Sequence, residues 1–127
     1  MKTKDYLSNF IGAAQLAAIN QGCSGEEREY FLDKVIDMTD LIQNMPKTYD
    51  QDGKGDAAIV YLHYFNSGCD WYIIEKDMEE EDQQQAFGLA DLGYGGELGY
   101  ISIKELINGG AELDLHFTTR PLSEIRK

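Results

Sequence analysis

The hydrophobic period of the chain changes at Pro46, and that change dictates two kinds of structure in series. From Lys4 to Gln21 the residues Leu7, Phe10, Ile11, Ala14, Ala17 and Ala18 recur at three- and four-residue steps. This spacing predicts one apolar face of a helix, stopped by Gly22. A second helix is expected to begin at a capping box, in which Ser24 accepts from the backbone N–H of Glu27 and the Glu27 carboxylate reaches back. Glu26 and Glu27 then lie at the positive end of its dipole. Phe31, Leu32, Val35, Ile36, Thr39, Ile42 and Met45 carry the helical spacing to Pro46. The short link Gly22-Cys23-Ser24-Gly25 makes the two helices antiparallel neighbours, so residues 1–45 read as a helical hairpin.

Beyond Pro46 the apolar residues alternate. Ala57 to Phe65 is β-branched and aromatic, with apolar residues in both alternating sets, as suits a central strand covered on two faces. The turn Asn66-Ser67-Gly68 returns the chain into Trp71–Glu75, with Trp71 and Ile73 on one face and Tyr72 and Ile74 on the other. Further strands are expected at 85–89 and 96–100. Ser102 and Glu105 form a second capping box, stapled by Ile101 and Leu106, ahead of a two-turn helix that stops at Gly109-Gly110. A last strand alternates Leu113, Leu115 and Phe117 inward with Glu112, Asp114 and His116 outward, and Pro121 ends regular structure. Helices followed by strands give an α+β fold, the N-terminal hairpin packed on a mostly antiparallel sheet with one short inserted helix. At 127 residues this is one domain, the hairpin over 1–45 and the sheet region over 46–122.

Charge narrows the function. Eleven Lys and Arg against 23 Asp and Glu leave a net charge of -12, which repels phosphate backbones and anionic lipid, so direct nucleic-acid binding is not expected. Cys23 and Cys69 form no CxxC pair and are expected to be free thiols. The opening Met1-Lys2-Thr3-Lys4-Asp5 turns amphipathic without an apolar export segment, and no apolar run approaches the length that crosses a bilayer. A cytoplasmic location is the expectation, with no membrane association.

Several residue groups invite chemistry. In Asp50-Gln51-Asp52-Gly53-Lys54-Gly55-Asp56 the carboxylates and glycine match a calcium loop in part, but Lys54 stands where an oxygen ligand belongs and Tyr61 where a bidentate glutamate belongs. A polar connection built for turns fits better. His63 and His116 could hold a metal with Asp114 if their strands were adjacent, the three-ligand open site of a metal-dependent hydrolase. The run Asp77-Met78-Glu79-Glu80-Glu81-Asp82 reads as a hydrated loop, or as a docking point for a basic partner through Glu79, Glu80 and Glu81. Trp71, Tyr72, Tyr94, Glu97 and Tyr100 are candidates for a binding surface on whichever sheet face the helices leave open. Leu92-Gly93-Tyr94-Gly95-Gly96-Glu97 carries no phosphate-binding motif, and neither a GxSxG elbow nor an activated cysteine is present, so no catalytic residue and no cofactor are assigned.

Pro46-Lys47-Thr48-Tyr49, His63-Tyr64-Phe65, Asp70-Trp71-Tyr72-Ile73-Ile74-Glu75, Ala86-Phe87-Gly88, Glu97-Leu98-Gly99-Tyr100-Ile101-Ser102 and Glu105-Leu106 follow one another in a linked order. This order, over roughly residues 46 to 122, resembles the domain of unknown function 2958 family. The resemblance implies a small bacterial protein of the kind associated with plasmids, phages and conjugative elements, with no established catalytic residue or ligand. The N-terminal hairpin lies outside that pattern. Together these features lead to the expectation of a non-enzymatic protein-interaction module with a protein partner, a basic one where the acidic run is the docking point. The alternatives are a nucleic-acid-mimicking inhibitor of a host defence nuclease and the hydrolase built on His63, Asp114 and His116.

Overall fold

Tyr64, in the middle of a strand, is fully buried and donates its hydroxyl hydrogen to the carbonyl of Phe10. That bond joins the two halves of the molecule. The computed structural model describes residues 6–126. Helix α1 (Ala13–Gly22) and helix α2 (Arg28–Asn44) precede a 3₁₀ turn at Gly55–Ala57 and strands β1 (Ile59–Val60), β2 (Leu62–Asn66), β3 (Cys69–Glu75), β4 (Ala86–Asp91) and β5 (Gly96–Ile101). Helix α3 (Ile103–Asn108), strands β6 (Glu112–Leu113) and β7 (Arg120–Pro121) and helix α4 (Leu122–Ile125) complete the chain. A five-stranded antiparallel sheet has the order β5-β4-β3-β2-β6, and β1 pairs with β7 in a separate ribbon. The α+β reading holds.

The two sheet faces have different cores. Phe10, Ile11, Ile19, Val35, Met38 and Ile42 from the helical half close over Leu62, Tyr64, Ile73 and Leu113. On the opposite face Ile74 and Leu89 pack with Ala58, Val60 and Leu122 from the ribbon and α4. Trp71 joins the first cluster with Ile73, and Tyr72 joins the second with Ile74, the expected alternation. Asn66 and Cys69 pair across Ser67 and Gly68, whose φ values of 48° and 83° give the two-residue turn that matches strand twist. The 85–89 and 96–100 strands form with slightly longer bounds, and Ser102 caps α3 by accepting from the Glu105 N–H.

Several local expectations are corrected. The helix expected over 4–21 is interrupted at residues 8–12, its first two residues lying outside the described ones. Phe10 and Ile11 turn inward there, and the Phe10 carbonyl, which a continuous helix would bond internally, takes the Tyr64 hydroxyl instead. In α1 the buried residue is Ile19, while Ala14, Ala17 and Ala18 face solvent, because the larger side chain removes more apolar area from water. Ser24 does not cap α2. Its hydroxyl donates to the Asn20 carbonyl, Glu27 occupies the cap position without a side-chain bond, and Met38 takes the inward place expected of Ile36. The 57–65 strand divides at Tyr61, which sends Val60 to the second core and leaves β2 one place from the sheet edge. The final strand stops at Leu113, and the segment after Thr119 is ordered as β7 and α4 rather than ending at Pro121.

Candidate functional site

Between Ile73 and Glu75 the register of β3 against β4 slips: Ile73 pairs with Gly88 and Glu75 with Phe87. One residue, Ile74, is therefore extra on β3, and a bulge of this kind turns the following side chain to the face it would otherwise avoid. Strict alternation would place Glu75 beside Ile73, under the helices. Instead it stands opposite Phe87 and, with Ile74, lines a cleft of about 290 Å³ on the other face. Gly88 permits the slip, since a Cβ there would sit 2.0 Å from the Tyr72 carbonyl oxygen.

The cleft is closed over by the segment that follows α2. Pro46–Thr48 runs alongside Lys76, with Thr48 N–H donating to the Lys76 carbonyl and Lys76 N–H to that of Pro46. This delivers two backbone donors to Glu75: Tyr49 N–H reaches Oε1 at 2.9 Å and Gln51 N–H reaches Oε2 at 2.5 Å. Glu75 is only 4% exposed. The buried Gln51 side chain ties the loop to the sheet, donating to the carbonyls of Ile59 and Ile74 and accepting from Ile59 N–H. Phe87 meets Tyr100 edge to face at 5.8 Å, and the Tyr100 and Tyr49 hydroxyls share a hydrogen bond of 2.7 Å across the mouth. Tyr49 holds a φ of 79°, a strained conformation for a bulky side chain. Tyr100 releases its proton less readily than a free tyrosine, first through the bond with Tyr49, then through burial and the negative fields of Tyr49, Glu75 and Asp52.

The remaining candidate residues fall in different places. Tyr100 lines the cleft, whereas Trp71 packs on the helix-side core and Glu97, paired with Ala90 on that face, is exposed. Tyr94 is 93% exposed in the β4–β5 turn. Tyr72 stacks on His63 at 4.7 Å with the rings 9° apart. His63 and Asp114 do meet: Nδ1 lies 3.1 Å from Asp114 Oδ2, while Nε2 lies 2.7 Å from Asp70 Oδ1. His116 approaches Asp114 through its backbone N–H, and its side chain is exposed. Asp114 is held below its ordinary range; burial pushes it up, but hydrogen bonds from His63 and from the His116 N–H outweigh that. Among the described residues no group of three or more His, Cys, Asp or Glu is arranged to hold a metal ion, and Asp50, first of the calcium-like loop, accepts from Lys47 N–H.

The acidic run is partly internal. Asp77 is buried and accepts from the N–H groups of Glu79, Gln84 and Gln85. Glu80 lies 2.7 Å from the fully buried Lys76 ammonium and accepts the Tyr6 hydroxyl, while Glu79 and Glu81 are exposed. Lys76 also donates to the Ile42 carbonyl at 2.7 Å, capping the end of α2. Cys23 and Cys69 are free thiols.

The fold and the cleft define a small α+β protein with an aromatic-rimmed, acid-floored recess on the sheet face away from α1 and α2. The chain belongs to the family described as "Protein of unknown function (DUF2958)", whose model matches residues 34–125. The match starts inside α2, so the C-terminal part of that helix, the end that Lys76 caps, is part of the family pattern, further toward the N-terminus than the motifs alone reach. No curated protein and no solved structure matches the chain. Sequence reasoning missed Glu75, Gln51 and Tyr49. Gly88 was the available signal, because a glycine inside a strand marks a bulge or a close backbone approach.

Proposed function

We propose that this protein is a non-enzymatic interaction module that takes an extended basic segment of another protein along β5 and the cleft beside it. The observation that carries this reading is the open sheet edge. The opposite edge, β6, is covered by the Gln15 amide, which donates to the Leu113 carbonyl and accepts from its N–H at 2.7 and 2.9 Å. Among the described residues no strand pairs with the outer side of β5, where Leu98 and Tyr100 stand partly exposed and line the cleft. An uncovered strand edge flanked by apolar side chains recruits another strand, and alternate pockets then give selectivity. The charge of -12 favours a basic partner. No helix among the described residues is long and apolar enough to cross a membrane. The proposed setting of the module is the cytoplasm of a bacterium, encoded by the cell or by its mobile element.

The mimicry alternative is weakened by the internal use of Asp77 and Glu80, which leaves Glu79, Glu81 and Asp82 as its exposed carboxylates. The hydrolase alternative would require a metal to displace a carboxylate from a His63 ring nitrogen.

The test is affinity capture from nuclease-treated host lysate with the wild type, Leu98→Asp and Asp37→Asn, the last on the exposed side of α2. A partner held by the wild type and Asp37→Asn but lost with Leu98→Asp is expected. Capture indifferent to Leu98→Asp, or abolished by the nuclease, overturns the reading.

A further inference from the structure

We infer that the cleft is a receptor for one cationic side chain, a lysine or arginine of the bound segment, with Glu75 as the charge it meets and Tyr49, Phe87 and Tyr100 as the aromatic walls around its stem. The inference rests on the interaction reading above and gives that site its chemical selectivity.

The first ground is an uncompensated charge. Glu75 is buried at the floor of the cleft, and its two oxygens accept only from the neutral N–H groups of Tyr49 and Gln51. Among the described residues no Lys, Arg or His forms an ion pair with it; the neighbouring Lys76 faces the other side of the sheet and is taken by Glu80. A carboxylate has about four acceptor positions, so roughly two remain for an incoming donor. Burying such a group without a cation is unfavourable, and the fold retains it by means of a bulge that aims it into the cleft.

The second ground is the shape and lining. Three aromatic rings with Ile74, Ala58 and Leu122 give an apolar sleeve that leads down to the acid. A methylene stem packs against such walls while the ring faces attract its cationic head. At about 290 Å³ the recess lies at the lower limit of small-molecule pockets and has room for one long side chain. Asp52 stands exposed at the rim, and the negative fields of Glu75 and Asp52 already reach the Tyr100 hydroxyl. A cation entering there is attracted from the mouth to the floor.

The probes are three capped tripeptides, acetyl-Gly-X-Gly-amide with X as lysine, arginine or norleucine, titrated into the full chain and followed by NMR of the aromatic side chains. Norleucine keeps the stem and removes the charge. The lysine and arginine peptides are expected to shift the Tyr49, Phe87 and Tyr100 signals and to bind at least tenfold more tightly than norleucine, with an advantage that shrinks as salt is raised. Glu75→Gln, confirmed as folded by circular dichroism, is expected to abolish that advantage. Equal binding of norleucine, no response to either cationic peptide, or an unchanged advantage in Glu75→Gln overturns the inference. The wild-type comparison needs no variant, so a Glu75→Gln that fails to fold does not protect the proposal. Leu98-dependent capture tests the interaction reading separately, and each can fail alone.

Discussion

Replacing Glu80 with glutamine leaves the Lys76 ammonium, which is 0% exposed, without its anionic partner. The folded-state carboxyl of Glu80 titrates at about 2 against 4.5 when free, chiefly through the hydrogen bond from Lys76, with burial opposing and the Tyr6 hydroxyl and Lys47 adding to the fall. At about 1.4 kcal/mol per pH unit this difference corresponds to roughly 3 kcal/mol. Glu80 itself is 37% exposed, so solvent screening reduces the figure to about 1–2 kcal/mol. A depressed acid pKa stabilises the fold above its unfolded value, and that contribution disappears as pH falls from 4.5 through about 2. Urea unfolding followed by the fluorescence of Trp71 should therefore show the Glu80→Gln midpoint about 0.5–1 M below wild type at pH 7. The gap should close as the pH approaches 2. Glu79→Gln and Glu81→Gln, at exposed positions, should move the midpoint little. No gap at neutral pH, or one that persists undiminished at pH 2, would refute the assignment of Glu80 as the counterion of Lys76.

Gly88→Ala places a Cβ against the Tyr72 carbonyl and should destabilise by about 3 kcal/mol or more, read as a large loss of thermal midpoint or as failure to fold. Tyr49→Gly relieves a left-handed residue and should stabilise by about 0.5–1 kcal/mol in urea unfolding, while the lysine peptide loses its binding. Asp114→Asn weakens the His63 contact and should lower stability by about 1 kcal/mol at pH 7. Because the Asp114 pKa is depressed from 3.8, that deficit should shrink as the pH falls below this value, which a pair of denaturation series at pH 7 and pH 3 would measure.

What was legible in the sequence were features set by neighbouring residues. The Ser67-Gly68 turn, the Ser102 cap and the β4 and β5 segments depend on local backbone preference and short-range pattern, and they lie where expected. The misread elements are those in which a distant group competes for a backbone atom. The Tyr64 hydroxyl takes the Phe10 carbonyl and interrupts the first helix. Asp114 bonds to His63 by its side chain and donates its N–H to the His63 carbonyl, so the alternation of 113–117 continues in sequence after the β2–β6 register has ended. Trp71 and Tyr72 fall on opposite faces as their alternation predicts, but only the fold shows which face stays open: Trp71 packs in the helix-side core, while Tyr72 and Tyr100 lie on the other face. The cleft was missed because its key residue does not obey the period of its strand.

That departure serves two sites at once. Were β3 regular, the Glu75 carboxylate would point toward the C-terminal carbonyls of α2, a repulsive encounter with the negative end of the helix, and Lys76 would stand in the cleft. The bulge exchanges them. Lys76 then donates to the Ile42 and Gln43 carbonyls and to Glu80, while Glu75 receives the Tyr49 and Gln51 N–H groups on the opposite face. The same slip that makes the helix end favourable therefore leaves a negative charge at the floor of the recess. Gly88, which alone in β4 lets the Tyr72 carbonyl approach, couples the packing of α2 to the character of the cleft. Any change that straightens β3 should disturb both together.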